Sequence, residues 1–138
     1  GEDVTDAIRL PQISQYASVV SAYPGVRAFL LEMQRDFARK GSVIMDGRDI
    51  GTVVLPDADV KVYLTASVET RAKRRFLELQ EKGEPADLAK IAADIEDRDY
   101  RDMHRDISPL RQAEDATLVD SSDMTIDQVV ERILELCR

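Results

Sequence analysis

The sequence predicts an α/β fold in which a parallel sheet is flanked by helices. Residues 42–46, 60–64 and 116–119 are short runs that predict strands, and the first shows no polar alternation, as expected for a strand buried on both faces. Amphipathic segments with helical spacing separate these runs. Hydrophobic residues make up 43% of the 138 residues and charged residues 33%, a balance typical of a folded domain.

The first half of the chain predicts two helices and one strand. Apolar residues spaced by three and four positions indicate a helix over residues 11–23, which Pro24 and Gly25 interrupt. A second apolar stripe predicts a helix that ends near Lys40, with Gly41 as its stop signal. The strand over residues 42–46 follows directly.

The second half predicts two strands and three helices. After the strand over residues 60–64, Ser67 is the expected N-cap of a helix that ends near Lys82. Asp87 begins the next helix, whose second half is almost entirely polar. After the strand over residues 116–119, Thr125 and Gln128 have the spacing of a capping box at the start of the last helix.

Length and composition predict the number of domains and argue against two classes of partner. A length of 138 residues predicts one domain, residues 1–138. The formal net charge of −8 argues against a nucleic-acid partner, and the sequence offers no segment apolar and long enough to predict a membrane partner. The single cysteine, Cys137, has no internal disulfide partner, which is consistent with a cytoplasmic location.

The segment DGRDIGT, residues 46–52, has two interpretations. Asp-Gly and Arg-Asp are ordinary turn residues, so the segment can be a simple turn. If residues 43–45 form a buried parallel strand, Asp46 instead stands at its carboxyl end, where open α/β sheets bind ligands. A carboxylate there can hold hydrated Mg²⁺, with Arg48 and Asp49 facing the same crevice.

The segment EDRDYRDMHRD, residues 96–106, also has two interpretations. On a helix, Arg98, Arg101, Asp102 and Arg105 lie within one broad face. They can form weak surface ion pairs, or the guanidinium groups can clamp a polyphosphate while the aspartate orients them or accepts from a sugar hydroxyl. The only histidine, His104, has no nearby partner suited to a metal site.

A second basic cluster lies in the segment RAKRR, residues 71–75. It is either the solvent-facing side of an amphipathic helix or a further phosphate-binding surface. The sequence contains neither a G-x-S-x-G segment nor a Cys–His arrangement suited to nucleophilic catalysis. The chemistry that it indicates is therefore anion binding.

The chain resembles the C-terminal portion of bacterial cytidylate kinases, which phosphorylate CMP and dCMP from ATP. The likeness runs along essentially the whole chain, and several specific segments occur in order. They are GEDVTDAIR, PQISQYASVVSAYPGVRAFLLEMQRDFA, DGRDIGTVVLPDADVKVYLTAS, RAKRRFLELQEKG, RDYRDMHRDISPL and DATLVDSSDMTIDQVVERIL.

The resemblance implies an incomplete P-loop nucleoside monophosphate kinase fold: a parallel sheet with flanking helices and a helical lid. Residues 1–25 correspond to the end of a substrate-binding insertion, and residues 72–105 to the lid region. The G-x-x-x-x-G-K-[ST] loop that holds the donor phosphates is absent from these 138 residues. This absence implies that the 138-residue chain is inactive alone, being cut from a longer enzyme or completed by another chain.

The resemblance also implies roles for residues in the first half of the site. Ser18 and Arg27 correspond to contacts with the cytosine end of the substrate. Arg48 corresponds to a phosphate contact and Asp49 to a base contact. Asp46 corresponds to a carboxylate that faces Mg²⁺ through water.

In the second half, Asp102 corresponds to the residue that contacts the sugar, and Arg98 and Arg105 to catalytic arginines that approach the phosphates. The expected small-molecule partners are CMP, dCMP and ATP, with Mg²⁺ as cofactor. The parent is expected to be a monomer, whereas exposed strand edges predict self-association of the 138-residue chain. Two alternatives stay open: a non-catalytic nucleotide-binding or assembly module, and a related kinase for another small acceptor.

Overall fold

The computed structural model describes residues 1–9, 11–21 and 23–138. The chain divides into two compact units, residues 1–45 and residues 46–138. The single domain expected from the length stays a prediction.

The first unit consists of a short 3₁₀ turn and two helices. The turn spans Ala7–Arg9, helix α1 spans Pro11–Val20 and helix α2 spans Pro24–Lys40. Proline at the first position of α2 costs no hydrogen bond, because the first amides of a helix have no intrahelical acceptor. Both helices predicted for this half of the chain are confirmed.

The strand predicted over residues 42–46 is wrong. These residues form neither helix nor strand, and the side chain of Ile44 is fully exposed. A strand exists only through hydrogen bonds to a neighbouring strand, and within the described residues none pairs with this segment. The apolar composition of this segment therefore did not suffice to predict a strand, because a strand also needs a neighbouring strand.

The second unit contains a parallel sheet of two strands. Strand β1 spans Val62–Thr65 and strand β2 spans Thr117–Asp120, with Val62 opposite Thr117 and Leu64 opposite Val119. The amide of Ser121 donates to the carbonyl of Thr65 at 2.8 Å, just beyond the last paired residues. These two strands confirm two of the three predicted, with β1 beginning two residues later than expected.

Three helices complete the second unit, and their starts follow the predicted capping residues. Helix α3 spans Val68–Glu81, helix α4 spans Leu88–His104 and helix α5 spans Ile126–Leu136. The side chains of Ser67 and Asp87 accept backbone amides of α3 and α4, respectively. Thr125 and Gln128 form the predicted capping box of α5.

Helices α3 and α4 pack against each other. The most buried apolar side chains of the unit belong to Val54, Ala66, Ala72 and Val119. They come from the segment before β1, the residue directly after β1, helix α3 and strand β2. In the parts of the chain that the structure describes, no helix is both long and apolar enough to cross a membrane.

Candidate functional site

The centre of the candidate site is the carboxylate of Asp102, on the polar second half of α4. Its side chain is only 7% exposed. Arg48 reaches it from the segment before β1, and its Nε donates to Oδ2 at 2.9 Å. A buried carboxylate is stable only when it is paired and hydrogen-bonded, so this contact holds the DGRD turn against α4.

Two further arginines, Arg98 of α4 and Arg105 at the C-cap of that helix, flank the same carboxylate. Arg98 Nε lies 4.0 Å from Oδ2 of Asp102, and Arg105 Nη1 lies 3.9 Å from Oδ1. Three guanidinium groups therefore surround one carboxylate, and the cluster carries an excess of positive charge. Arg48 and Arg98 are about half exposed, so their donors are accessible to an anionic ligand.

The end of α4 is held by the loop that follows it. The amide of Leu110 donates to the carbonyl of Asp102 at 2.7 Å, and Arg105 Nε donates to the carbonyl of Ser108 at 2.7 Å. Ser108 has a φ of 49°, in the left-handed region that non-glycine residues rarely adopt. The loop thus fixes both the backbone of Asp102 and the side chain of Arg105.

The expectation that Arg101 shares one broad face with Arg98 and Arg105 stays a prediction. Its Nε donates to the carbonyl of Asp97 on the same helix, and the side chain is exposed to solvent. Residue spacing placed these arginines within one broad face. No contact between Arg101 and Asp102 is found among the described residues, whereas Arg98 of α4 and Arg105, the C-cap of that helix, both approach the carboxylate.

The DGRD turn continues into a wide helical turn over Ile50–Val54. The carbonyl of Asp49 accepts the amides of Val53 and Val54, and the latter bond has the five-residue spacing of a π turn. A Cβ on Gly47 would lie 2.9 Å from Cγ1 of Ile50, so a larger residue at this position would displace the Ile50 side chain. The turn thereby places Arg48 toward Asp102.

Asp46 begins the same turn, and its side chain is exposed. Mg²⁺ is commonly held by one or two carboxylates together with phosphates and waters. One accessible carboxylate fits that donor set, whereas a structural zinc site would need four protein ligands. Within the described residues, no three His, Cys, Asp or Glu side chains form a metal-binding group.

Two candidate residues, Ser18 and Arg27, belong to the first unit. Arg27, near the start of α2, is partly buried, and its Nη1 donates to the carbonyl of Ser21 at 3.3 Å. Ser18 belongs to α1, but the prediction for its side chain falls outside the described part of the structure. The roles that the family resemblance implies for these two residues stay predictions.

The arginines of the RAKRR cluster contact protein groups. Arg71 makes two hydrogen bonds to the carboxylate of Asp99, and Arg74 donates to the carbonyl of Ser121 at 2.6 Å. Arg75 pairs with Glu78 on the surface of α3. Two of these arginines therefore join elements of the second unit, a role that neither sequence interpretation included.

The pair formed by Lys61 and Asp115 was also not predicted from the sequence. Lys61 Nζ lies 2.6 Å from Oδ2 of Asp115, and the lysine side chain is only 7% exposed. This hydrogen bond lowers the pKa of the exposed Asp115 carboxyl from its ordinary value. A lysine within the apolar run over residues 60–64 was the available signal that the strand needed a carboxylate partner.

Comparison with known proteins gives the family of this chain. The family model described as cytidylate kinase matches residues 1–138. The chain belongs to the cytidylate kinase family. It is 54% identical over 136 residues to a cytidylate kinase of Caldicellulosiruptor saccharolyticus, covering 99% of this chain and 60% of that relative. It is 57% identical over 136 residues to the cytidylate kinase of Lactobacillus gasseri, covering 99% and 59%, respectively.

A cytidylate kinase of Geobacter sulfurreducens is 51% identical over all 138 residues, which correspond to 59% of its length. The chain thus spans about three fifths of the length of these members of the cytidylate kinase family. The resemblance found in the sequence is confirmed. The mixed helix and strand content with a parallel two-stranded sheet is consistent with the α/β fold expected for a nucleoside monophosphate kinase.

Proposed function

We propose that the protein to which this chain belongs transfers a phosphoryl group from ATP to CMP or dCMP, giving CDP or dCDP. The observation that carries this proposal is the cluster of Arg48, Arg98 and Arg105 around Asp102 in a member of the cytidylate kinase family. The cluster offers bidentate donors for phosphate oxygens and one carboxylate for a hydroxyl group.

In this proposal, catalysis rests on positioning and on charge stabilisation. Arg98 and Arg105 donate to the oxygens of the phosphoryl group during its transfer, when negative charge spreads over those oxygens. Donors held in place before the reaction need no reorganisation during it. The bond from Arg105 to the carbonyl of Ser108 provides that kind of fixation.

The acceptor nucleotide is bound at the other side of the same cluster. Arg48 binds its phosphate, and Asp102 accepts a hydrogen bond from a sugar hydroxyl. Asp49 contacts the base, and the family resemblance adds Ser18 and Arg27 at the cytosine end. Binding the acceptor at several points converts a bimolecular reaction into one within a single complex.

Asp46 is the residue that would hold Mg²⁺, through a water molecule. When bound, Mg²⁺ would neutralise phosphate charge. The exposed carboxylate of Asp46 begins the turn that carries Arg48, which supports this assignment. The metal and the arginines would thereby act on the same phosphates.

We also propose that the fold is that of a P-loop nucleoside monophosphate kinase, with residues 1–25 ending a substrate-binding insertion and residues 72–105 forming the lid. The packed pair of α3 and α4 supports the second assignment. The 138 residues contain no G-x-x-x-x-G-K-[ST] segment to hold the donor phosphates. The 138-residue chain alone is therefore expected to be inactive, and a cytoplasmic location and a monomeric parent also stay predictions.

The test is ATP consumption by the protein expressed from the complete reading frame, with CMP, dCMP, UMP and AMP offered separately. Rapid turnover of CMP and dCMP is expected, and none from the 138-residue chain. Arg105→Ala should lower kcat/KM about 100-fold or more. The matched control is Arg101→Ala on the same helix, whose guanidinium bonds the backbone of Asp97 and should matter little.

A binding or assembly module without turnover is the second candidate, because the arginine cluster can bind an anion without any chemistry. It predicts CMP binding but no ATP consumption by either protein. Faster turnover of UMP or AMP than of CMP would instead indicate a kinase for another acceptor. Loss of activity in the Arg101 control equal to that of Arg105→Ala would remove the cluster from the mechanism.

A further inference from the structure

We infer that Arg71 and Asp99 are a positioning pair that fixes α4 in the orientation at which its arginines act. The inference rests on the proposed function, since it assigns a role in presenting Arg98, Asp102 and Arg105. Neither Arg71 nor Asp99 belongs to the Asp102 cluster itself. Their contribution is the placement of the helix that carries most of that cluster.

The contact between the two residues is a planar fork. Arg71 Nη1 donates to Oδ1 of Asp99 at 3.0 Å, and Nη2 donates to Oδ2 at 2.6 Å. The third nitrogen, Nε, donates to the carbonyl of Ala66 at 2.9 Å. All three guanidinium nitrogens are therefore engaged with protein groups.

The three bonds join three elements of the second unit. Arg71 lies in the first turn of α3, Ala66 directly follows β1, and Asp99 lies in the second half of α4. Ala66 is 7% exposed, so its carbonyl belongs to the packed part of the unit. The guanidinium thus ties α4 to the carboxyl end of the sheet, the edge at which α/β proteins place ligands.

The position of Asp99 along α4 makes its hydrogen bonds with Arg71 relevant to the site. It follows Arg98 directly and precedes Asp102 by three residues, which is less than one helical turn. Rotation or sliding of α4 would move Arg98 and Asp102 together. A two-point fork resists rotation in a way that a single bond does not, because both carboxylate oxygens are fixed.

Lysine cannot replace this arginine, although it keeps the charge. An ammonium group is a point charge without the planar fork, so it cannot hold both oxygens of Asp99 and the Ala66 carbonyl in the same geometry. The pair is only partly exposed, with 35% of the Arg71 side chain and 22% of the Asp99 side chain accessible. Partial burial makes the geometry of the bond matter more than it would on an open surface.

The kinetic test uses Arg71→Lys, Asp99→Asn and the double variant in the protein from the complete reading frame. Each single change should lower kcat/KM for CMP about 10- to 100-fold, as expected when reacting groups are displaced by about 1 Å. The double variant should lose no more than the worse single variant. Arg132→Ala, which removes a surface pair with Glu135 on α5, is the control and should change little.

Hydrogen exchange separates positioning from general destabilisation without using activity. In Arg71→Lys, amides of residues 95–104 should exchange faster, whereas those of residues 126–136 should keep the exchange rates of the unmodified protein. Equal acceleration in both segments, or additive kinetic losses in the double variant, would overturn the inference. Absence of turnover by the unmodified protein would overturn the proposed function, and the exchange pattern would still decide the role of the pair.

Discussion

Asp102 combines low exposure with three neighbouring arginines, and this arrangement bears on ligand affinity. In the structure its carboxylate accepts a hydrogen bond from Nε of Arg48. This N–H group is therefore not free to donate to a phosphate oxygen. An incoming phosphate must therefore compete with Asp102 for this arginine. In the proposed function the same carboxylate accepts a hydrogen bond from a sugar hydroxyl, so Asp102 should weaken phosphate binding and strengthen sugar binding.

The change Asp102→Asn tests this opposition. Without its charged partner, Arg48 should bind inorganic phosphate about three- to tenfold more tightly, because a charge-assisted hydrogen bond no longer competes. The affinity for CMP should fall instead, since the neutral amide oxygen of asparagine accepts a weaker hydrogen bond from the sugar hydroxyl than a carboxylate does. Calorimetric titrations with phosphate and with CMP at one ionic strength measure both changes.

Asp97→Asn is the matched control, since it removes the same charge from an exposed position on the same helix. It should leave both affinities nearly unchanged, because surface charges are screened by salt. An equal gain in phosphate affinity in this control would show a general charge effect. Competition between Asp102 and phosphate would then be the wrong explanation.

At the scale of elements, α3 is stabilised along its exposed side by one carboxylate shared between two cations. Glu78 accepts a hydrogen bond from Arg75 at 2.7 Å and one from Lys82 at 2.6 Å. These two hydrogen bonds, with that from Lys82 the stronger, lower the pKa of Glu78 from 4.5 to about 2. The charged form of the carboxylate is thus favoured in the folded helix.

This lowered pKa predicts how the stability of the protein depends on pH. The contribution of Glu78 is fully present above pH 4.5, the ordinary pKa, and is lost as the pH falls toward 2. Because the side chain is 45% exposed, the contribution at pH 7 should be only about 0.5 kcal/mol. Urea denaturation of Glu78→Gln should therefore show a small destabilisation at pH 7 that shrinks below pH 4.5.

Glu81→Gln, another exposed glutamate of α3, provides the comparison, since the structure gives it no ion pair with any described residue. It should cost less at pH 7 than Glu78→Gln. A Glu78 effect that persists unchanged at pH 3 would contradict the prediction. Added salt should also reduce the Glu78 effect at pH 7.

Elements with local signals were predictable from the sequence. Ser67, Asp87 and Thr125 each cap the helix that was expected to begin after them, because an N-cap involves only the next three residues. The strand over residues 42–46 was not predictable in this way. Its formation depends on hydrogen bonds with a partner elsewhere, which the apolar run does not specify.

The candidate site likewise contains some contacts that local sequence signals indicated and others that they did not. The spacing of Arg98, Asp102 and Arg105 indicated a shared helix face, and the structure brings these three together. The Arg71–Asp99 fork joins residues 28 positions apart and has no local signal. Long-range contacts of this kind depend on how α3 and α4 pack, and one sequence alone does not determine that packing.

At the scale of the whole molecule, the small sheet leaves apolar side chains accessible. Leu64 and Leu118 are 53% and 55% exposed, although parallel strands are usually buried on both faces. Ile126 of α5 is 83% exposed. Exposed apolar surface of this extent is typical of regions that contact another part of a protein or another chain.

The 138-residue chain should therefore associate with itself as its concentration rises. Leu118→Lys should weaken this association about tenfold, because a charge on a sheet edge opposes pairing between chains. Sedimentation velocity over a range of concentrations measures the effect, and Lys73→Glu on exposed α3 is the control for an altered surface charge. A chain that stays monomeric at all concentrations would contradict the prediction.

The parallel pairing of β1 and β2 has a consequence for the order of folding. About 55 residues separate the paired regions along the chain, as in the hydrogen bond between Ser67 and Ser122. Closing a loop of that length costs about 3.5 kcal/mol of chain entropy. The packed pair of α3 and α4 lies inside this loop and can form from nearer neighbours. Once these helices have docked, the free loop is much shorter, so we expect the strands to pair after the helices during refolding.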